Sequence, residues 1–216
     1  MIAPFDPRTD NMTPESALSF FIAIFIFGVT PGPGVFAIIA RALVSGAHSC
    51  TLLSLGMAVS DCMYLVLACL GLAAIATHWG EVFTVIRFVG AAYLMFLGYK
   101  MWTAPVKVSD ELNVAPANGP GMSFLQGFLI SASNPKVIVF YIAFLPTFMD
   151  LESLTGRDIV LAVILGLSAL MLGLVMIAAT AARARNWFRS PRAMKGLNRS
   201  AGSIMAAAGA YLATRS

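Results

Sequence analysis

Residues 27–35 read Phe27-Gly28-Val29-Thr30-Pro31-Gly32-Pro33-Gly34-Val35. They lie inside an uncharged run, residues 16–40, that is long enough to cross a bilayer as one helix. Proline lacks an N–H group and clashes with the carbonyl four residues earlier, so Pro31 frees the carbonyl of Phe27 and Pro33 frees that of Val29. Because an unpaired carbonyl in hydrocarbon is costly, we expect this break to be buried in protein or to line a wet cavity.

Two interpretations of this first break, residues 30–34, are open on the residues alone. A discontinuous membrane helix exposes main-chain amides and carbonyls that can bind a substrate. A simple proline kink is the alternative, because glycine and proline are common in membrane helices. Two prolines alternating with two glycines favour the first interpretation, so the candidate substrate-binding residues are Thr30, Pro31, Gly32, Pro33 and Gly34.

The composition indicates an integral membrane protein. Of the 216 residues, 59% are hydrophobic and 11% charged, whereas about 25% of the residues of a soluble domain are charged. The three cysteines form no Cys-x-x-Cys pair and accompany no histidine cluster, so no disulfide framework, metal site or cofactor is expected. The first 15 residues are polar, and they lack the basic start and apolar core of a signal peptide.

Six apolar runs predict six transmembrane helices, at residues 16–40, 49–77, 82–103, 122–149, 159–182 and 200–214. The last run has only 15 residues, which is short for a bilayer core of about 30 Å unless its arginines snorkel. A polar linker, residues 105–121, divides the chain into three spans and three spans. The predicted organisation is therefore an N-terminal extension (1–15), a first three-helix repeat (16–104), the linker and a second three-helix repeat (122–216).

The basic residues predict the orientation. With six spans, nine Lys and Arg fall on the side of the linker and four on the other side, while Lys136 lies within the fourth span. Six of the nine belong to the segment 183–199. The positive-inside rule then places this segment and the linker in the cytoplasm and both termini outside. This segment could lie on the inner leaflet as an interfacial helix; the alternative is that it only fixes the topology.

The two halves of the chain resemble each other. An offset of 104 residues aligns Thr30-Pro31 with Asn134-Pro135 and gives seven identities between positions 19 and 38. Because three is an odd number of spans, two tandem copies must insert with opposite orientations. Breaks at matching points of inverted repeats indicate the central site of a transporter. The second break, Asn134-Pro135-Lys136, thus joins the first as a candidate substrate-binding element, and the helices predicted to be broken are the first and the fourth.

Two charged residues lie within the predicted spans. Asp61 is far from both ends of its apolar run, where an ionisable side chain is costly and by default functional. It is a candidate proton-coupling residue, with Tyr64 on the same helix face as its expected hydrogen-bond partner. The alternative is that Asp61 pairs with a basic group for structure alone. Lys136 has three open roles: to bind a substrate carboxylate, to pair with Asp61, or to snorkel to a surface.

Four groups of residues carry a resemblance to a known family. In chain order they are Thr30-Pro31-Gly32-Pro33-Gly34; Gly56, Asp61 and Tyr64; Phe88-Val89-Gly90-Ala91-Ala92-Tyr93-Leu94 with Leu97-Gly98; and Gly127 with Asn134-Pro135-Lys136. Together they resemble the LysE/RhtB family of amino-acid exporters. The resemblance implies a multi-pass protein of the bacterial inner membrane that exports small amino acids or their derivatives, driven by the proton-motive force. The partners it implies are an amino-acid substrate, protons and the lipid bilayer; a homodimer is left open, and no nucleic acid is expected.

Other functions fit the residues less well. A metal-ion exporter of the same fold group would need several acids, histidines or thiolates inside the spans. A thiol–disulfide carrier would need a cysteine beside each break, and an intramembrane hydrolase would need a motif such as Gly-x-Ser-x-Gly. A non-transporting membrane assembly subunit remains an alternative. No enzyme activity is expected, and because the chain has no Gly-x-x-x-x-Gly-Lys-Ser/Thr motif, export must be coupled to a gradient or to a partner.

Overall fold

The computed structural model describes residues 12–78, 80–103, 119–149, 153–184 and 190–214, and within these ranges all regular structure is helical. The predicted extension up to residue 11, the linker up to 118 and residues 185–189 of the basic segment lie outside the described residues. The α-helices are α1 (Pro14–Val29), α2 (Pro33–Ser45), α3 (Thr51–His78), α4 (Gly80–Thr103), α5 (Pro120–Ala132), α6 (Pro135–Phe144), α7 (Gly156–Arg183) and α8 (Pro191–Thr214). Short 3-10 helices at Ala47–Cys50 and Leu145–Thr147 precede α3 and follow α6.

Both predicted breaks are present, and their geometries are nearly equal. Helices α1 and α2 are bent by 61° at the first break, and α5 and the segment Pro135–Thr147 are bent by 60° at the second. In each case a proline begins the next helix, Pro33 in α2 and Pro135 in α6. Proline is tolerated there because the N–H groups of the first helical turn have no partner within the helix.

The apolar helices agree with a membrane protein. Within the described residues, the segments Ala47–Leu72 and Gly156–Arg183 are each long and apolar enough to cross a membrane. Each bent pair also qualifies when it is taken as one span, which gives up to four crossings by this criterion. Large apolar side chains on the outer faces of these helices, such as Leu18, Leu67 and Val160, are exposed as lipid-facing residues would be.

Helix α8 corrects the prediction for the last span. It begins at Pro191 and has 24 residues, so Arg192, Lys195 and Arg199 lie within it. The predicted basic segment is therefore not a separate interfacial helix in its described part: Arg183 ends α7, and residues 191–199 form the first turns of α8. Proline at the first position and helix-favouring residues such as arginine, alanine and lysine explain the early start.

Packing joins the first half of the chain to the second. Helix α1 packs on α7, α3 on α5, and α4 on α8. In the predicted repeats, α1, α3 and α4 correspond to α5, α7 and α8. The contact of α1 with α7 then corresponds to that of α5 with α3, and the contact of α4 with α8 corresponds to itself. Each of these three contacts therefore joins a helix of the first half to a helix of the second.

Glycines set the closest approaches between the halves. A Cβ atom on Gly56 of α3 would fall on the backbone of Phe124 in α5, and one on Gly127 of α5 would fall on the backbone of Leu53. Between α4 and α8, a Cβ on Gly98 would lie 2.7 Å from the carbonyl oxygen of Gly202. Small residues allow helix backbones to approach in this way, so helices from opposite halves are in backbone contact at these positions.

Candidate functional site

A small cavity lies between the two breaks. Its volume is about 40 Å³, and its polar lining comes from α3 and from both breaks: Thr30, Asp61, Ser131, Asn134 and Lys136. Three glycines, at positions 28, 32 and 34, and apolar side chains such as Met57, Leu170 and Leu174 complete the wall. This central cavity brings together Asp61 and residues of both breaks. Of the predicted site residues, Tyr64 and the three prolines Pro31, Pro33 and Pro135 are not part of the lining.

The Phe27 carbonyl at the end of α1 accepts a long hydrogen bond, 3.3 Å, from the backbone N–H of Thr30, and Lys136 supplies a further donor at this first break. Its Nζ donates hydrogen bonds to the carbonyl oxygens of Phe27, at 3.0 Å, and Thr30, at 2.8 Å. The Phe27 carbonyl is the one that Pro31 was expected to free. The ammonium also lies 4.3 Å from the centroid of the Phe27 ring, within the range of a cation–π interaction. A charge from the second break thus caps the helix of the first.

The position of Lys136 bears on one of its predicted roles, snorkelling to a surface. Its side chain is 7% exposed and reaches inward across the protein, so it does not snorkel to a surface. The inward direction follows from the cost of leaving the carbonyls at the end of α1 unpaired in an apolar surrounding. Its Nζ bonds to main-chain carbonyls, and Asp61 lines the same cavity.

The second break is capped in a similar way. The Asn134 side-chain oxygen accepts a hydrogen bond from the backbone N–H of Lys136 at 3.1 Å and so begins α6. The Tyr64 hydroxyl donates to the carbonyl oxygen of Ala132, at the end of α5, at 2.7 Å. The expected bond from Tyr64 to Asp61 is therefore wrong, because the tyrosine satisfies a carbonyl that the break leaves without a helical donor. In both broken spans, a side chain from another element pairs with the end of the first helical segment.

Asp61 is buried in α3 and accepts a hydrogen bond from the Ser131 hydroxyl of α5. Sequence analysis missed Ser131, and its signal is modest: it is a hydroxyl in an apolar run, four residues before Pro135. Phe27 was likewise noted only for its carbonyl, whereas its ring stacks on Phe140 of α6, with centroids 4.0 Å apart, and faces the ammonium. Within the described residues, no group of three His, Cys, Asp or Glu side chains is placed to hold a metal ion.

Arg41 also joins the two halves, at the far end of α2 from the break. It is buried and donates to the hydroxyl of Ser123, at 3.4 Å, and to the side-chain oxygen of Gln126, both on α5. An arginine at a predicted membrane surface is often a simple anchor. Here its hydrogen bonds hold α2 against α5 on the side that the charge distribution assigns to the cytoplasm.

Comparison with known proteins places the sequence in a family. The family model for LysE type translocators matches residues 25–216. A homoserine/homoserine lactone efflux protein of Salmonella typhimurium is 26% identical over 206 residues, which are 94% of this chain and 98% of that protein. A leucine efflux protein of Klebsiella pneumoniae is 31% identical over 133 residues, 62% of each chain, and an uncharacterized membrane protein of Vibrio cholerae is 29% identical over 205 residues, 91% of this chain and 96% of that one. No solved structure matches. The resemblance carried by the sequence motifs is confirmed.

Proposed function

Because the chain belongs to the family of LysE type translocators, we propose that it exports small amino acids or their derivatives from the cytoplasm across the bacterial inner membrane by proton antiport. The observation that carries this proposal is that one carboxylate, Asp61, and one ammonium, Lys136, line the same cavity between two helix breaks. An amino acid carries the same two charges, so a site with one of each complements it without leaving a net buried charge.

The cavity wall and the named relatives favour substrates with an uncharged side chain. Apart from Asp61 and Lys136, the cavity is lined by neutral polar groups, glycines and apolar side chains that include Phe27, Met57 and Leu174. Relatives named for the efflux of homoserine, homoserine lactone and leucine handle molecules of this kind. We assign the same class to this chain.

The cavity must enlarge to admit such a molecule. A volume of about 40 Å³ has room for water but not for an amino acid. In the described conformation the site is therefore too narrow for its proposed substrate. In the proposed mechanism, the repeats 16–104 and 122–216 each cross the membrane three times with opposite orientations. They rock against each other, so that the site between the breaks faces the cytoplasm and the outside in turn.

Asp61 is the proposed proton-coupling residue. As a carboxylate it accepts the Ser131 hydrogen bond, and it balances the charge of Lys136. When it is protonated, the carboxyl becomes a donor and that balance is lost, so the two forms favour different arrangements of α3 and α5. A proton that enters from outside and leaves to the cytoplasm can therefore bias the exchange between the two facing states. Tyr64 acts indirectly, by holding the end of α5 next to Ser131.

Counterflow in proteoliposomes tests the transport function without requiring coupling. Vesicles are loaded with one unlabelled compound at a time from a panel of the twenty amino acids, homoserine and homoserine lactone, and uptake of the same labelled compound is followed. We expect rapid exchange for a subset with uncharged side chains and none in protein-free vesicles. Lys100→Ala, which alters an exposed lysine on α4, should exchange like the wild type. Folded, correctly inserted protein that exchanges no member of the panel would contradict the proposal and favour an assembly subunit.

A further inference from the structure

We propose that the carbonyls of Phe27 and Thr30, together with the Phe27 ring, form the binding site for the substrate's ammonium group, and that Lys136 fills this site with its own ammonium while the transporter is empty. This inference rests on the proposed function and deepens it, because it identifies the chemical group that the site recognises. In the empty transporter, the Lys136 ammonium occupies the position that the substrate's ammonium takes when the substrate binds.

The geometry at the end of α1 suits any primary ammonium. Two carbonyl oxygens lie 3.0 and 2.8 Å from Lys136 Nζ, and the Phe27 ring centroid lies 4.3 Å away. These carbonyls belong to the C-terminal end of a helix, where the macrodipole places partial negative charge. An R–NH₃⁺ group has three N–H donors and a full positive charge, so it can use both oxygens and the ring face together. Nothing in this set of contacts is specific to a lysine side chain.

The ammonium of Lys136 is also accessible from the central cavity. Gly32 lies beside it, and even a Cβ atom at that position would be 3.7 Å from Nζ. Because glycine has no side chain, no group at Gly32 separates the cavity from the ammonium site. A lysine reaches this point on a flexible four-carbon stem, which can withdraw when another ammonium competes for the same oxygens.

Displacement of Lys136 leaves the charges of the site balanced. The substrate ammonium takes its place at Phe27 and Thr30, and the released lysine then faces Asp61 and the substrate's carboxylate, both negative. The contacts at the ammonium end are the same whether the other end of the molecule is a carboxylate, an ester, an amide or a lactone. We therefore expect the ammonium to be required, and a compound without the carboxylate to bind more weakly, because the site then holds one unbalanced positive charge. Displacement also breaks the hydrogen bonds that tie α6 to the end of α1, which frees the halves to move.

Chemical rescue of Lys136→Ala tests the site without reference to transport. The variant removes the internal ammonium and with it the hydrogen bonds to both carbonyls, so its melting temperature in detergent should fall by several degrees. Ethylammonium chloride at about 100 mM, far above a millimolar Kd, should restore much of the loss by binding the vacated site. Tetramethylammonium, which has no N–H donor, and sodium should restore little. The wild type, whose site is filled, should not respond to ethylammonium.

Lys100→Ala is the matched control, because Lys100 is an exposed lysine whose Nζ lies 6.0 Å from the Phe96 ring centroid. Its melting temperature should match the wild type and be insensitive to ethylammonium. If Lys136→Ala proves too unstable to purify, the comparison is made on membranes. The readout is then the fraction of a fluorescent fusion that stays monodisperse after solubilisation with and without ethylammonium. An equal effect of ethylammonium on all three proteins, or no effect on Lys136→Ala, overturns the ammonium site. Counterflow by the wild type would still support the exporter in that case.

Discussion

The Asp61→Asn variant is expected to fold, insert and exchange substrate, yet to build no gradient when a pH difference is imposed across the membrane. Asparagine keeps the shape of the side chain and can accept the Ser131 hydrogen bond through its oxygen, but it cannot gain or lose a proton. If the proton on Asp61 selects between the two facing states, a permanently neutral side chain removes the coupling and leaves the exchange. We expect uphill accumulation to fall to the level seen without a pH difference.

Two further variants make this result specific. Asp61→Glu keeps an ionisable carboxyl and should retain part of the coupling with an altered pH dependence. Glu15→Gln neutralises an exposed acid in the first turn of α1 and should leave uphill transport unchanged. Each protein is reconstituted at the same density, and accumulation is measured with and without the imposed pH difference, for a compound that the wild type exchanges. Uphill transport by Asp61→Asn would make Asp61 a structural residue and place the coupling group elsewhere.

Gly56→Ala is expected to lower the stability of the protein, while Gly71→Ala, in the same helix, is expected to leave it unchanged or raise it. A methyl group on Gly56 would overlap the backbone of Phe124, which cannot move aside as a side chain can. Overpacking of this kind costs about 1–3 kcal/mol and sometimes more. Gly71 is exposed and has no atom near the position of a new Cβ, so alanine there gains up to about 1 kcal/mol from its better helix propensity.

Thermal denaturation of the two purified variants in one detergent compares these effects directly. Opposite or clearly separated shifts relative to the wild type would show that α3 and α5 pack as closely in the membrane protein as they do here. Equal shifts would mean that the approach between Gly56 and Phe124 is looser. Because Gly56 and Phe124 belong to different halves of the chain, a looser approach would also mean that the two halves pack less closely than the contacts of α3 with α5 and of α1 with α7 indicate.

The sequence predicts the breaks well because their cause is local. A proline removes a donor and blocks a carbonyl wherever it occurs, so Pro31 and Pro135 identify both break points, and the repeat alignment predicts that they are equivalent. The same local chemistry predicts that the carbonyl of Phe27 needs a partner. Which group pairs with it cannot be read from the sequence, because Lys136 is more than a hundred residues away and reaches Phe27 only through the packing of the halves.

Residues that depend on tertiary packing were predicted less well. Tyr64 lies one turn from Asp61, and helical spacing alone predicts that they bond. In the folded protein the Tyr64 hydroxyl donates instead to the Ala132 carbonyl at the end of α5, and the Ser131 hydroxyl donates to Asp61. Helix α8 begins before the predicted span for a different reason: the apolar run marks only residues 200–214, whereas Pro191 and helix-favouring basic residues extend the helix beyond this apolar part.

Protection of a single cysteine at position 32 tests most directly whether substrate binds between the two breaks. Gly32 lines the central cavity, and a Cβ there meets Lys136 only at ordinary contact distances of 3.5 and 3.7 Å, so there is room for the Cβ atom of Gly32→Cys. In a background without the three native cysteines, we predict that a compound exchanged in counterflow slows alkylation of this cysteine, whereas a compound that is not exchanged leaves the rate unchanged. A cysteine at position 71, on the outer face of α3, should show no protection by either compound. Full exchange activity in the Gly32→Cys protein with no protection by its substrate would contradict a binding site between the breaks.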